Sequence, residues 1–224
     1  MLKRPSLLNK ASKRLQTKLN NLIPEKAHKA ITTVIKKMVQ VVLFGARHTT
    51  ADPVQAMSLA VRETLVLEKI DRYRKTAAVE GGITGAGGFL MGLADFPLLL
   101  GIKIKLLFDI AHIYGYSTDN YKERIYLLHI FQLAFSSQEH RREVYLKMQH
   151  WDQQYPAIAN QPDAFDWRKF QQEYRDYIDI AKMAQLIPII GAPVGVVVNY
   201  QLVKKLGKTA MNAYRMRWMD ERKW

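Results

Sequence analysis

The chain contains no cysteine. That excludes disulfides, thiolate zinc sites and a cysteine nucleophile, and it fits a reducing compartment. No G-x-S-x-G elbow, Walker A loop, dinucleotide fingerprint or H-E-x-x-H pair occurs, so the common sequence signatures of acyl, phosphoryl, hydride and zinc chemistry are missing. Acids are scarce: 20 Asp and Glu stand against 34 Lys and Arg in 224 residues, a formal net charge of +14. No repeat of fixed period and no low-complexity tract is present. The first twenty residues are basic but lack the continuous apolar core of a secretory signal.

Hydrophobic residues make up 48% of the chain and aromatics 10%, enough to bury a substantial core and to exclude global disorder. The charge is unevenly spread. Residues 1–50 carry a net +10, residues 199–224 a net +5, and the stretch between them a net −1. If the two ends share one side of the fold, they form a basic face. Such a face attracts anionic lipid headgroups or nucleic acid, or serves only as a solvated, solubilising surface. No groove-reading module supports nucleic acid.

Almost every segment has the periodicity of a helix. Ser6 caps a basic amphipathic helix whose apolar stripe includes Leu7, Leu8, Leu15 and Leu22, flanked by Lys3, Arg4, Lys10, Lys13, Arg14 and Lys18. It reads equally as a membrane-surface helix or as one packed on the domain. Pro24 opens a second helix that carries Ile31, Val34, Ile35 and Met38. Asp52-Pro53 opens a third, running to Glu80. A fourth covers Leu98 to Tyr114 and stops at Gly115. The turn cluster Ser117–Asn120 caps a fifth, with Ile125, Leu128, Phe131 and Phe135. Residues 138–151 are helical and charged, with His140 and His150 expected in solvent. Residues 155–163 read as a loop, 166–183 as a helix, and Asn199 to Trp218 as the last helix. That helix ends in a basic aromatic tail, in which Trp218 and Trp224 with Arg215 and Arg217 suit a membrane interface or single-stranded nucleic acid, or form only a disordered basic tail.

Two windows, 81–101 and 184–199, are apolar and crowded with glycine. Glycine costs a helix roughly 1 kcal/mol per residue relative to alanine, and close approach of two backbones is the usual compensation. Gly81/Gly85, Gly88/Gly92 and Gly191/Gly195 have the four-residue spacing that permits it. The first window contains Asp95 and Pro97; the second is short and holds two prolines. Both therefore read as buried core helices or interfacial elements in preference to full spans.

Ile23-Pro24-Glu25-Lys26, Ala78-Val79-Glu80-Gly81-Gly82, Ala94-Asp95-Phe96-Pro97, the run Ile110 to Tyr116, Glu123-Arg124, Pro188 to Ala192, Asn199-Tyr200, Gly207 and Tyr214-Arg215 form an ordered set. Together they resemble the EcsC family over about residues 15 to 217. The resemblance implies an α-helical, single-unit, bacterial-type protein, cytoplasmic or membrane-associated. It implies no established reaction.

The expected architecture is all-α: a basic extension over 1–14, one compact multi-helix bundle over 15–218 with the Gly-rich segments in its core, and a tail over 219–224. Few residues suggest chemistry. Asp95 is a helix cap or a functional acid. Glu80 pairs with Arg74 or Lys75, stays solvated, or is catalytic. Asp109 and His112 share a helical face, and His129 on the next helix can complete a minimal metal-ligand set; ordinary hydrogen bonding is the alternative. The expected function is a non-enzymatic protein, without cofactor, bound peripherally to the inner face of the membrane. It would hold anionic lipid or a membrane protein through Lys3, Arg4, Lys10, Lys13, Arg14, Lys18, Arg215 and Arg217. The alternative is a hydrolase or other small-molecule enzyme with an Asp/His-lined pocket near the Gly-rich helices.

Overall fold

The computed structural model describes residues 33–37, 40, 53–86, 96–154, 170 and 191–221. Among the described residues every regular element is a helix: α1 Leu59–Ala86, α2 Phe96–Ile113, α3 Tyr121–Phe135, α4 Gln138–Met148, α5 Trp151–Gln154 and α6 Gly191–Asp220. Residues 33–37 are also helical, and Ile35 is fully buried. The fold is all-α, as the periodicity indicates.

Two helix starts differ from expectation. α1 begins at Leu59, not at Asp52-Pro53, because Arg62 pulls the preceding segment onto α2. Its Nε donates to the Met57 carbonyl at 3.0 Å and its Nη1 to those of Val54, at 2.9 Å, and Ile113. The Val54 N–H donates to the His112 carbonyl at 2.9 Å. These bonds occupy carbonyls at the end of α2 that have no partner inside the helix. α6 begins at Gly191 instead of Asn199 and takes in Val196–Val198.

α2 ends where the sequence places its stop. Gly115 has φ +89°, its N–H donates to His112 O, and the Tyr116 N–H donates to Ala111 O, each at 2.9 Å. This is the glycine-terminated double closure of a helix end. Asn120 then caps α3, its Oδ1 accepting from the Lys122 N–H at 2.9 Å. α3 is buried almost all round, with Ile125 to Phe131 inside. A helix with no wet face belongs at the centre of a bundle.

α1 and α6 are the long rods of the fold, and they run antiparallel. Glu63 meets Arg215, Ile70 meets Gly207, Arg74 lies over the Tyr200 ring, and Gly81 meets Gly195. From Glu63 to Gly81 this contact extends for about 27 Å. A Cβ built on Gly81 would lie 2.6 Å from the Gly195 carbonyl oxygen and 2.2 Å from Asn199 Nδ2. The tight approach thus joins glycines across two helices; it does not depend on two on the same one. Gly85 and Gly191 lie within α1 and α6, while Gly88 and Gly92 fall outside the described residues. α2 and α3 pack onto the pair through Leu106, Ile110, Tyr126, Ile130, Leu206 and Tyr214.

Candidate functional site

Among the described residues, the acids and histidines singled out by the sequence have separate partners. Asp109 Oδ2 accepts from Lys69 Nζ at 3.0 Å and from the Tyr73 hydroxyl at 2.9 Å, tying α2 to α1. Burial pushes its carboxyl up, but these partners outweigh burial and hold it below the usual carboxylate range. His112 Nε2 bonds Thr118 Oγ1 at 3.0 Å. His129 Nδ1 faces Gln132 Oε1 at 2.9 Å, with its ring edge-on to Trp151. Among the described residues no group of three or more side chains could hold a metal ion. Arg74 and Lys75, the expected partners of Glu80, both pair with Asp71 on the preceding turn. His140 is 5% exposed, not solvated as expected: it sits between Gln132 and Glu143, because Ser137 caps α4 and turns its first turn onto α3. His150 is exposed, as expected. Asp95 lies outside the described residues.

His129 gives a pH signature. Burial lowers its pKa to about 4, against the opposing effect of its hydrogen bond to the Gln132 Oε1 acceptor. The unfolded chain therefore takes up a proton near pH 6.5 that the folded chain refuses until about pH 4. Stability is full above that window and is lost as pH falls through it, by on the order of 3 kcal/mol. Urea denaturation at the two ends of the window should show this loss shrinking in His129→Gln. An unchanged slope would mean that the ring takes up its proton inside the fold.

Of the two C-terminal arginines expected at a lipid headgroup, Arg217 faces inward, while Arg215 stays partly open to water. Arg217, its side chain 8% exposed, donates from Nη1 to Glu123 Oε2 at 2.5 Å. It grips Asp152 with Nε and Nη2 at 2.5 and 2.8 Å and reaches Glu221 at 3.2 Å. Its guanidinium carbon lies 4.0 Å from the Tyr116 ring centroid and 5.0 Å from that of Tyr126. Lys122 adds a bond to Asp152 at 2.8 Å, and the Tyr214 hydroxyl donates to Glu123 at 2.5 Å. Glu123 stands in the first turn of α3, where the helix dipole favours a carboxylate. Arg215 grips Glu63 through Nε and Nη2. Trp218, expected in the tail, is buried, with Nε1 bonded to the Tyr114 carbonyl at 3.2 Å. The Arg217 network locks α3, α5 and α6 together. Pairing across α3, α5 and α6 has no local sequence signal; only the density of tyrosine and tryptophan near both helix ends hinted at it.

The opposite end of the α1/α6 pair is the surface that stands out. Where Gly81 meets Gly195, aliphatic side chains project outward: Val79 is 61% exposed, Ile83 58%, Val197 58% and Val196 38%. They cluster because the glycine contact turns the small face of each helix inward and leaves the large residues outside. Lys75 lies one turn behind Val79 on the same face of α1. On α6 the stripe of Val197 continues through Lys204 to the exposed Lys208. Arg72 is also exposed. Aliphatics at the tip with cations set one or two turns back form the profile of an interfacial element. The N-terminal candidates Lys3, Arg4, Lys10, Lys13, Arg14 and Lys18 lie outside the described residues. No helix among the described residues is long and apolar enough to cross a membrane.

Comparison with known proteins places this architecture. The EcsC protein family model matches residues 1–219, and so takes in the basic N-terminal segment that the resemblance had left outside. Protein EcsC of Bacillus subtilis (strain 168) is 44% identical over 98% of this chain and 91% of its own length. An uncharacterized protein of the same organism, YdbA, is 32% identical over 70% of this chain and 58% of its own. No solved structure matches. The chain belongs to the EcsC family.

Proposed function

We propose that the protein is a peripheral membrane-associated helical protein that docks on an anionic lipid surface at the inner face of the membrane, by the aliphatic end of its long helix pair. The observation that carries this reading is the group Val79, Ile83, Val196 and Val197, exposed together at the glycine contact with lysines behind them. Burying an aliphatic side chain completely is worth about 1.5–3 kcal/mol, and each Lys or Arg near an anionic surface adds about 1 kcal/mol. Lys75 pairs with Asp71 only at the surface, where such a bond is weak and can be exchanged for a phosphate. The net +10 of residues 1–50 adds to the attraction.

Co-sedimentation with vesicles containing or lacking an anionic lipid tests the proposal. Binding is expected to the anionic vesicles and should fall as salt rises. Val79→Ser with Ile83→Ser should weaken it by about tenfold or more. Equal, negligible binding to both vesicle types would overturn it.

A further inference from the structure

We propose that Glu80 couples docking to proton uptake: its carboxyl takes up one proton as the aliphatic end enters the lipid surface, so that acid strengthens docking. The inference rests on the docking reading above and names how the same site is regulated. Among the described residues, Glu80 is the one charged group at that end of the three long helices. Residues 76–86 of α1 carry no other charge. α2 runs antiparallel to α1, with Ile113 at Arg62 and Asp109 at Tyr73, so its first turns point to the same end. Residues 96–102 of α2 and 191–203 of α6 carry no charge at all.

The cations next along these helices are engaged elsewhere or distant. Arg74 and Lys75 pair with Asp71, Lys105 pairs with Asp109, and Lys103 is buried and engaged. The first cation of α6, Lys204, stands about 14 Å along the helix from Gly195. Tyr200 on α6 is covered by Arg74, and the Asn199 amide donates to the Gly195 carbonyl. No cation among the described residues pairs with Glu80, which is half-buried. Ile83, three residues on, shares a face with Glu80 and stands about 4.5 Å nearer the tip. Immersing Ile83 therefore brings Glu80 to the lipid boundary. There an ionised carboxylate loses water and gains anionic headgroups as neighbours. Both effects penalise the charge, and a carboxyl so placed neutralises by taking a proton. A group protonated only in the docked state makes affinity rise as pH falls, by up to about tenfold per pH unit for one proton.

Co-sedimentation of the full chain with vesicles containing phosphatidylglycerol, from about pH 7.5 down to about pH 5.5, tests the coupling. The phosphodiester headgroup keeps its charge over that range. Histidines titrate there too, so the readout is the difference between variants. Glu80→Gln is expected to bind about tenfold more tightly than the unchanged chain at the upper end of the range, and the two should converge at the lower end. Glu80→Asp should keep the steep pH dependence of the unchanged chain. Without vesicles, Glu80→Gln should melt with the unchanged chain, since no partner is lost. Parallel pH profiles for the unchanged chain and Glu80→Gln, or a Glu80→Gln that binds no better at the upper end, would overturn the coupling and leave docking standing. Negligible binding of all three proteins at every pH would overturn docking itself, and the coupling with it.

Discussion

Replacing Arg217 with methionine should lower stability by about 3–5 kcal/mol, a fall in Tm on the order of 10 °C for a chain of this size. Methionine fills much of the same space between Tyr116 and Tyr126, so the loss is electrostatic more than steric. Glu123 would be left buried at 3% exposure beside the Tyr214 hydroxyl, without its cation. Asp152 would keep Lys122 alone. An uncompensated buried carboxylate is far more costly than a missing surface pair. Arg215 supplies the contrast two residues earlier on the same helix. Its bond to Glu63 is partly open to water, and Arg215→Ala should cost less than about 1 kcal/mol. Chemical denaturation of both variants makes the comparison. Equal losses would show that the Arg217 network contributes no more than a surface pair.

The same network sets an acid limit. Burial pushes the Asp152 carboxyl up, yet the hydrogen bonds from Arg217 and Lys122 outweigh it and hold the group well below its ordinary range. A depressed folded pKa means stabilisation that is complete above the unfolded value, near pH 4, and is lost as pH falls through the folded one. In Arg217→Met this acid-dependent part should shrink, separating the Asp152 contribution from the His129 window above it.

Gly81→Val should destabilise by about 3 kcal/mol or more, whereas Gly101→Ala should stabilise by up to about 1 kcal/mol. Both glycines sit in helices, and helix propensity favours replacing either. Space decides the sign. A Cβ on Gly81 meets backbone, the Gly195 carbonyl, which cannot rotate away. It also displaces the Asn199 amide, whose Nδ2 donates to the same carbonyl at 3.0 Å. A Cβ on Gly101 meets nothing within 4 Å. Gly207→Ala falls between, since the obstruction is the Ile70 side chain at 2.4 Å, buried but able to shift. Thermal melts of the three variants should rank them in that order, with Gly101→Ala above the unchanged chain. A stable Gly81→Val would mean that the two rods do not touch at this point.

The pattern of legibility follows from the range of the forces involved. Helix identity, the Gly115 stop and the Asn120 cap are local, and spacing reveals them. Glycine density alone does not say which glycines meet: that depends on the register of α1 against α6, which is set by contacts such as Ile70–Gly207, more than a hundred residues apart. The misplaced start of α1 has the same origin: Arg62 bonds to the end of α2, which no window around residue 52 contains. Arg215, Arg217 and Trp218 looked like a basic aromatic tail because their partners, Glu63, Glu123, Asp152 and Tyr114, are distant in sequence. The exposed end at Val79 and Val197 was hidden for the opposite reason. Its side chains are apolar, and sequence alone files such residues in the core.

A fluorophore placed at each end of the helix pair tests the docking geometry most directly. With no native cysteine, Ile83→Cys and Met219→Cys each accept a single environment-sensitive dye. Ile83 follows Gly82, which packs against Val196, and Val196 is about 34 Å from Met219 along α6. On anionic vesicles the dye at residue 83 should shift to the blue and resist aqueous quencher, while that at residue 219 stays in water. Equal shifts at both positions, or a shift at residue 219 alone, would contradict insertion by the glycine-packed end.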